Sequence, residues 1–189
     1  MIGPAHRNAR YRKLLALWSA HPIWASIMQE TSSKTVSVTF DRLGLSSVCK
    51  VAAALANALN LGDCVVLAGP LAAGKTTFVQ ALARALGETD PITSPTFTLA
   101  HFYSRGRLPL LHVDAYRLEN VHDFTDLALD DFYDTHVTAI EWGEKFSSAL
   151  PPAYRVELTP DGDETRRLTL SAPGEEYIGL NSVVGVLQG

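Results

Sequence analysis

Residues Gly69-Pro70-Leu71-Ala72-Ala73-Gly74-Lys75-Thr76 fit G-x-x-x-x-G-K-[ST], the phosphate-binding P-loop. An apolar run, Cys64-Val65-Val66-Leu67-Ala68, leads into it, and a helix-forming run from Phe78 to Leu86 follows. Strand, loop and helix in that order is the context the motif needs. The four fixed positions arise by chance in roughly one chain in a hundred of this length. The flanks lower that further, so the stretch is read as a nucleotide site. Backbone N–H groups of the loop wrap the phosphates, and the helix N-terminus adds partial positive charge. Lys75 reaches the β- and γ-phosphates, and the Thr76 hydroxyl coordinates Mg²⁺.

A chain of 189 residues with 47% apolar content predicts one domain with a sizeable core. Its net charge of −4 gives no general drive toward nucleic acid or anionic membrane. Cys49 and Cys64 fall in apolar stretches and form no C-x-x-C pair. They read as small core residues in a reducing compartment, and a cytoplasmic location is expected. No apolar run reaches the length of a membrane span. Arg10, Arg12 and Lys13 before the run Leu14 to Ala20 weakly resemble a signal peptide, with an apolar part at the lower limit of length.

Residues 1–34 read as an N-terminal extension, disordered or loosely helical. They carry Arg7, Arg10, Arg12, Lys13 and Lys34 against one acid, Glu30. Translation beginning at Met28 is one expectation for this arm, and a basic contact with RNA is another. Residues 35–171 read as the nucleotide-binding domain, and 172–189 as a tail. Within the domain, alternation predicts a strand over 36–40. Ser46 and Ser47 are expected N-caps for a helix near 48–60. Strands are expected over 64–68, 96–104, 108–114 and 137–142, and helices over 75–86 and 119–133. A late hairpin joins 154–158 to 166–170 across Pro160-Asp161-Gly162-Asp163. The fold class expected is α/β. The sheet is P-loop NTPase-like, parallel at its centre with antiparallel edge strands, and flanked by helices.

Hydrolysis needs a metal held from a second side and a positioned water. Acids at the C-terminal ends of neighbouring strands are the natural suppliers. Asp114 ends Leu110-Leu111-His112-Val113, and Glu141 ends Val137-Thr138-Ala139-Ile140. A capping or loop carboxylate is the alternative for each. Thr93-Ser94-Pro95-Thr96 suits a loop that senses the γ-phosphate, or an ordinary polar turn. His112 reads as a core or edge histidine, and by spacing alone Trp142 reads as packing. Seven acids lie between Asp114 and Asp134 against one base, Arg117. They form a solvated face or a docking surface for a basic partner.

These pieces together resemble the TsaE (YjeE) family, the bacterial P-loop ATPase of tRNA threonylcarbamoyladenosine biosynthesis. The matching stretches are 69–77, Ser94-Pro95-Thr96-Phe97-Thr98-Leu99, His112-Val113-Asp114-Ala115-Tyr116-Arg117-Leu118 and Glu141-Trp142-Gly143-Glu144. The resemblance covers roughly 35–171. It implies that Gly69, Leu71, Ala72, Ala73, Gly74, Lys75, Thr76 and Thr77 hold ATP. It implies that Thr76 and Glu141 ligate Mg²⁺, and that Asp114 supports the metal or the attacking water. Lys75, Asp114 and Glu141 are then the catalytic set. Ser94 and Thr96 belong to a switch loop, and Trp142 lies beside the nucleotide. The implied partners are the threonylcarbamoyl transferase and its paralogous partner protein, of TsaD and TsaB type, with indirect tRNA association.

The family loop usually reads G-[DE]-L-G-A-G-K-T, so Pro70 and Ala72 are departures. Pro70 lacks an N–H, and Ala72 cannot easily take positive φ. Three other readings compete. A small-molecule kinase would need an acceptor pocket and a basic lid. A GTPase would need N-K-x-D, which is absent. A nucleotide-dependent scaffold would bind ATP with little turnover. Arg117 is the candidate arginine in cis.

Overall fold

The computed structural model describes residues 35–173. The readings of the arm 1–34 and of the tail beyond Pro173 lie outside the described residues. The chain runs β1 (Thr35–Leu43), α1 (Leu45–Ala58), β2 (Cys64–Ala68), α2 (Lys75–Ala85), β3 (Ala100–Tyr103) and β4 (Leu110–Asp114). It continues through α3 (Val121–Thr125), α4 (Asp130–Tyr133), β5 (Val137–Glu141), a 3-10 segment (Gly143–Ala149), β6 (Ala153–Pro160) and β7 (Arg166–Pro173).

One seven-stranded sheet has the order β1-β7-β6-β2-β5-β4-β3. β2 is parallel to both β5 and β6, and β4 is parallel to β5. The outer pairs β1·β7, β6·β7 and β3·β4 are antiparallel. This is the parallel centre with antiparallel edges that the sequence pattern predicts.

The pleat explains the composition of the strands. Val65 and Leu67 of β2 point into one apolar cluster with Val51 and Leu55 of α1 and Phe78, Val79 and Leu82 of α2. Cys64 and Val66 point into a second cluster on the other face, with Leu111, Val113, Phe124, Ile140 and Phe146. A strand buried on both faces must be apolar at every position, and β2 is. In β6, Tyr154, Val156 and Leu158 are buried while Arg155 and Glu157 are exposed. That half of the sheet is covered on one face only, hence the alternation.

Several local expectations are corrected. Helix α1 starts at Leu45 with Gly44 as its N-cap and no side-chain cap. Ser46 and Ser47 therefore lie inside its first turn. The strand expected from Thr96 begins only at Ala100. Residues 96–99 instead form a turn in which Thr98 and Leu99 N–H donate to Pro95 O, and Leu99 takes φ 66°. The helix expected over 119–133 is two short helices, separated where Ala128 takes φ 49°. β1 extends to Leu43 through a register shift after Phe40, with Arg42 at φ 53°.

Glu88 ties the end of α2 to the β3–β4 hairpin. Its carboxylate accepts from Thr89 N at 2.8 Å, Asp90 N at 2.9 Å and Arg105 N at 2.9 Å. The Asp90 N–H, ahead of the other backbone donors, holds this carboxyl below the ordinary value of 4.5. A depressed folded value means stability that is present above pH 4.5 and lost as pH falls through the folded value. Wild type is expected to lose melting temperature on acidification below pH 4.5, and Glu88→Gln to lose it less steeply from a lower starting point. Thermal melts across pH check both.

Candidate nucleotide and metal site

Lateral register builds the site. Leu67 of β2 lies beside Glu141 of β5, and Glu141 lies beside Asp114 of β4. Three parallel strands thus end level, and the chain leaves β2 directly into the P-loop. Backbone bonds continue the alignment, with Trp142 N donating to Leu67 O at 2.9 Å and Ala115 N to Glu141 O at 3.0 Å. Both acids are buried, as is Lys75 at 5% exposure.

The loop is shaped by residues with unusual backbone angles. Gly69 takes φ 129°, and a Cβ there would lie 2.0 Å from Leu158 O of β6. Only glycine fits so close to a neighbouring strand. Gly74 takes φ 106° as the N-cap of α2. Ala72 takes φ 62°, the left-handed region that its side chain disfavours. The departure from the family loop thus leaves its path open at the cost of local strain. Ala73 N donates to Pro70 O at 3.3 Å, so Pro70 contributes its carbonyl where it lacks a donor.

Lys75 Nζ donates to Gly69 O at 2.7 Å and Pro70 O at 2.8 Å. It also sits 3.6 Å from the centroid of the Trp142 ring. Trp142 takes φ 62° immediately after β5, which swings its ring over the ammonium. Burial pushes the Lys75 pKa down, and the charges of Glu141, Glu144 and Asp114 oppose that shift. The two carbonyls are neutral acceptors, and a phosphate oxygen is a stronger partner for the same ammonium.

Thr76 Oγ1 donates to Glu141 Oε2 at 3.0 Å. Asp114 Oδ2 accepts from Ser94 Oγ at 3.1 Å and from Thr96 Oγ1, and Asp114 Oδ1 accepts from Tyr116 N at 3.0 Å. The Ser94 and Thr96 hydroxyls are 2.7 Å apart. The hydroxyl loop is therefore fastened to one acid, and the P-loop threonine to the other. Hydroxyl and carboxylate oxygens are the hard donors that Mg²⁺ prefers. No three His, Cys, Asp or Glu side chains among the described residues form a metal cage of their own.

Every sequence-predicted side chain of the catalytic set lies at this end of the sheet. Two further residues join them. Arg166 of β7 donates from Nε to Ala73 O at 3.3 Å, bracing the loop from the hairpin. His112 Nε2 lies 2.9 Å from Glu141 Oε1. No local signal marks Arg166, because the packing of β7 beside β6 brings it there. The alternation His112-Val113-Asp114 puts His112 on the same face as Asp114, and that was readable. Arg117 lies on the exposed turn beyond Asp114.

A nucleotide-binding P-loop protein with its acids on two adjacent strands is the class these features define. The family model for "Threonylcarbamoyl adenosine biosynthesis protein TsaE" matches residues 45–168. A Treponema pallidum protein named tRNA threonylcarbamoyladenosine biosynthesis protein TsaE is 47% identical over 115 residues, which is 60% of this chain and 84% of that protein. The protein of the same name from Streptomyces coelicolor is 38% identical over 143 residues, covering 71% of this chain and 95% of that one. The crystal structure of Bacillus subtilis YdiB superposes with a TM-score of 0.69 at 27% identity, covering 82% of this chain and 98% of that one. The chain belongs to the TsaE family.

The strain at Ala72 is testable. Ala72→Gly relieves the left-handed penalty, about 1–2 kcal/mol, and gives back about 0.4–1 kcal/mol through the freer unfolded chain. A net gain between zero and about 1.6 kcal/mol is expected, read by chemical denaturation.

Proposed function

We propose that this protein is the Mg²⁺-dependent ATPase subunit of tRNA threonylcarbamoyladenosine formation. It acts in the cytoplasm through the threonylcarbamoyl transferase and its paralogous partner, of TsaD and TsaB type. The modified adenosine lies next to the anticodon, and the ATPase touches tRNA only through that complex. The carrying observation is the bond from Thr76 to Glu141 across the P-loop, with Asp114 level with it on the next strand.

In this reading the backbone N–H groups from Leu71 to Thr77 and the Lys75 ammonium neutralise phosphate charge. Thr76 and Glu141 hold Mg²⁺, with Asp114 supporting the metal or the attacking water. When bound, Mg²⁺ supplies charge neutralisation on the β- and γ-phosphates. Asp114 couples the site to the Ser94–Thr96 loop, because its carboxylate is the acceptor for both hydroxyls. Movement of that loop then depends on what Asp114 binds. The Trp142 ring would lie beside the nucleotide, and its face holds the Lys75 ammonium at 3.6 Å.

ATP hydrolysis measured with and without the two partner proteins tests the reading. Wild type is expected to show turnover that rises on adding the partners. Lys75→Ala should lose at least about a hundredfold in that turnover. Equal turnover in both proteins would sink the site assignment. Indifference to the partners, or phosphate transfer to an acceptor other than water, would favour a scaffold or a kinase. In Glu141→Gln the Mg²⁺ needed for half-maximal hydrolysis should rise about tenfold or more, because a charged oxygen ligand becomes neutral.

A further inference from the structure

Glu141 is gripped from two sides. Its Oε2 takes the Thr76 hydroxyl at 3.0 Å, and its Oε1 meets His112 Nε2 at 2.9 Å. His112 is completely buried in the middle of β4. Its cross-strand neighbour on β5 is Ala139, whose methyl group leaves room for the imidazole to lean toward Glu141. A carboxylate oxygen accepts, so Nε2 is the donor, and the other ring nitrogen is Nδ1. That Nδ1 is buried with no hydrogen-bond partner. An apolar side chain in this place would avoid the burden of an unmatched ring nitrogen. The single polar contact that His112 makes is therefore what distinguishes it from a core leucine.

The contact has a consequence one residue further on. The Thr76 hydroxyl carries one proton and two lone pairs. While that proton is committed to Glu141, the lone pairs of the same oxygen are left to face a cation. Whether the proton stays committed depends on the orientation of the Glu141 carboxylate, and the Nε2–H of His112 pins its other oxygen. Resting on the metal-assisted ATPase reading above, we propose that His112 is a positioning residue for the cation site. It fixes the Glu141 carboxylate, which in turn fixes the Thr76 oxygen, so both oxygen ligands are set by one buried imidazole. The line His112–Glu141–Thr76 crosses β4, β5 and α2, and no part of it requires His112 to touch the nucleotide. Outer residues that orient ligands typically change metal affinity by 10–100-fold when removed.

The test compares wild type with His112→Leu, His112→Asn and His112→Gln in the full chain, using a fluorescent ATP analogue. Nucleotide affinity is measured in EDTA and then across a Mg²⁺ titration. The expected result is metal-free affinity within about twofold of wild type and a Mg²⁺ midpoint raised about tenfold or more in His112→Leu. His112→Gln, whose amide N–H reaches as far as Nε2, should recover part of that loss, and His112→Asn less. In a Glu141→Ala background, adding His112→Leu should shift the midpoint no further, because the imidazole acts only through that carboxylate. A merely structural histidine would lower the melting temperature and leave the midpoint alone. An unchanged midpoint in a folded variant overturns the proposal. So does an equal loss of affinity with and without metal, or additivity with Glu141→Ala. If His112→Leu does not fold, the Gln and Asn variants carry the same comparison. A wild-type protein whose nucleotide affinity ignores Mg²⁺ would overturn the ATPase reading itself, an outcome distinct from variants that match a metal-responsive wild type.

Discussion

The site depends on three parallel strands ending level. Leu67, Glu141 and Asp114 are neighbours in register across β2, β5 and β4. A slip of one residue in either ladder would send an acid to the opposite face of the sheet. Burial on both faces holds that register, since Val65 and Leu67 are committed to one cluster and Cys64 and Val66 to the other. The hydrophobic core and the phosphate site are thus consequences of the same alignment. Burying two carboxylates and an ammonium at one sheet end is costly, and their charge attraction with the bonds from three hydroxyls and to the loop carbonyls offsets it.

Strain concentrates at this end of the sheet. Ala72, Leu99 and Trp142 all take positive φ without being glycine, and each lies in or beside the site. Such conformations persist where surrounding structure over-determines them. At Trp142 the backbone is set by its N–H bond to Leu67 O, and the result is an indole over Lys75. At Leu99 it is set by the turn after Pro95 that carries Ser94 and Thr96 to Asp114. The strand expected there failed for this reason. Apolar and β-branched residues favour a strand over 96–99, but hydrogen bonds to one buried acid hold a turn instead.

The long regular features were legible because local chemistry and tertiary packing agree. The P-loop, the apolar β2, the late hairpin and the two strand-end acids all have short-range signatures. Disagreement appears where a helix or strand end is decided by its surroundings. Gly44 rather than Ser46 starts α1, because β1 runs on to Leu43. Ala128 breaks the acidic helix in two, which no propensity at that residue predicts. His112 looked like an ordinary core histidine by alternation, and its depth agrees. Only the side-chain geometry reveals that its one bond goes to Glu141.

By itself the sequence determined that a phosphate loop follows a buried strand, that acids end two other strands, and that the combination matches one family. These are properties of consecutive residues and their spacing. The order of strands, the pairing of β6 with β2 and the closeness of Thr76 to Glu141, 65 positions apart, were decided only by the fold. So were the bracing of the loop by Arg166 and the grip of His112 on Glu141. Contacts of that kind depend on how strands pair and how the sheet twists in space, and a linear pattern carries no direct record of them.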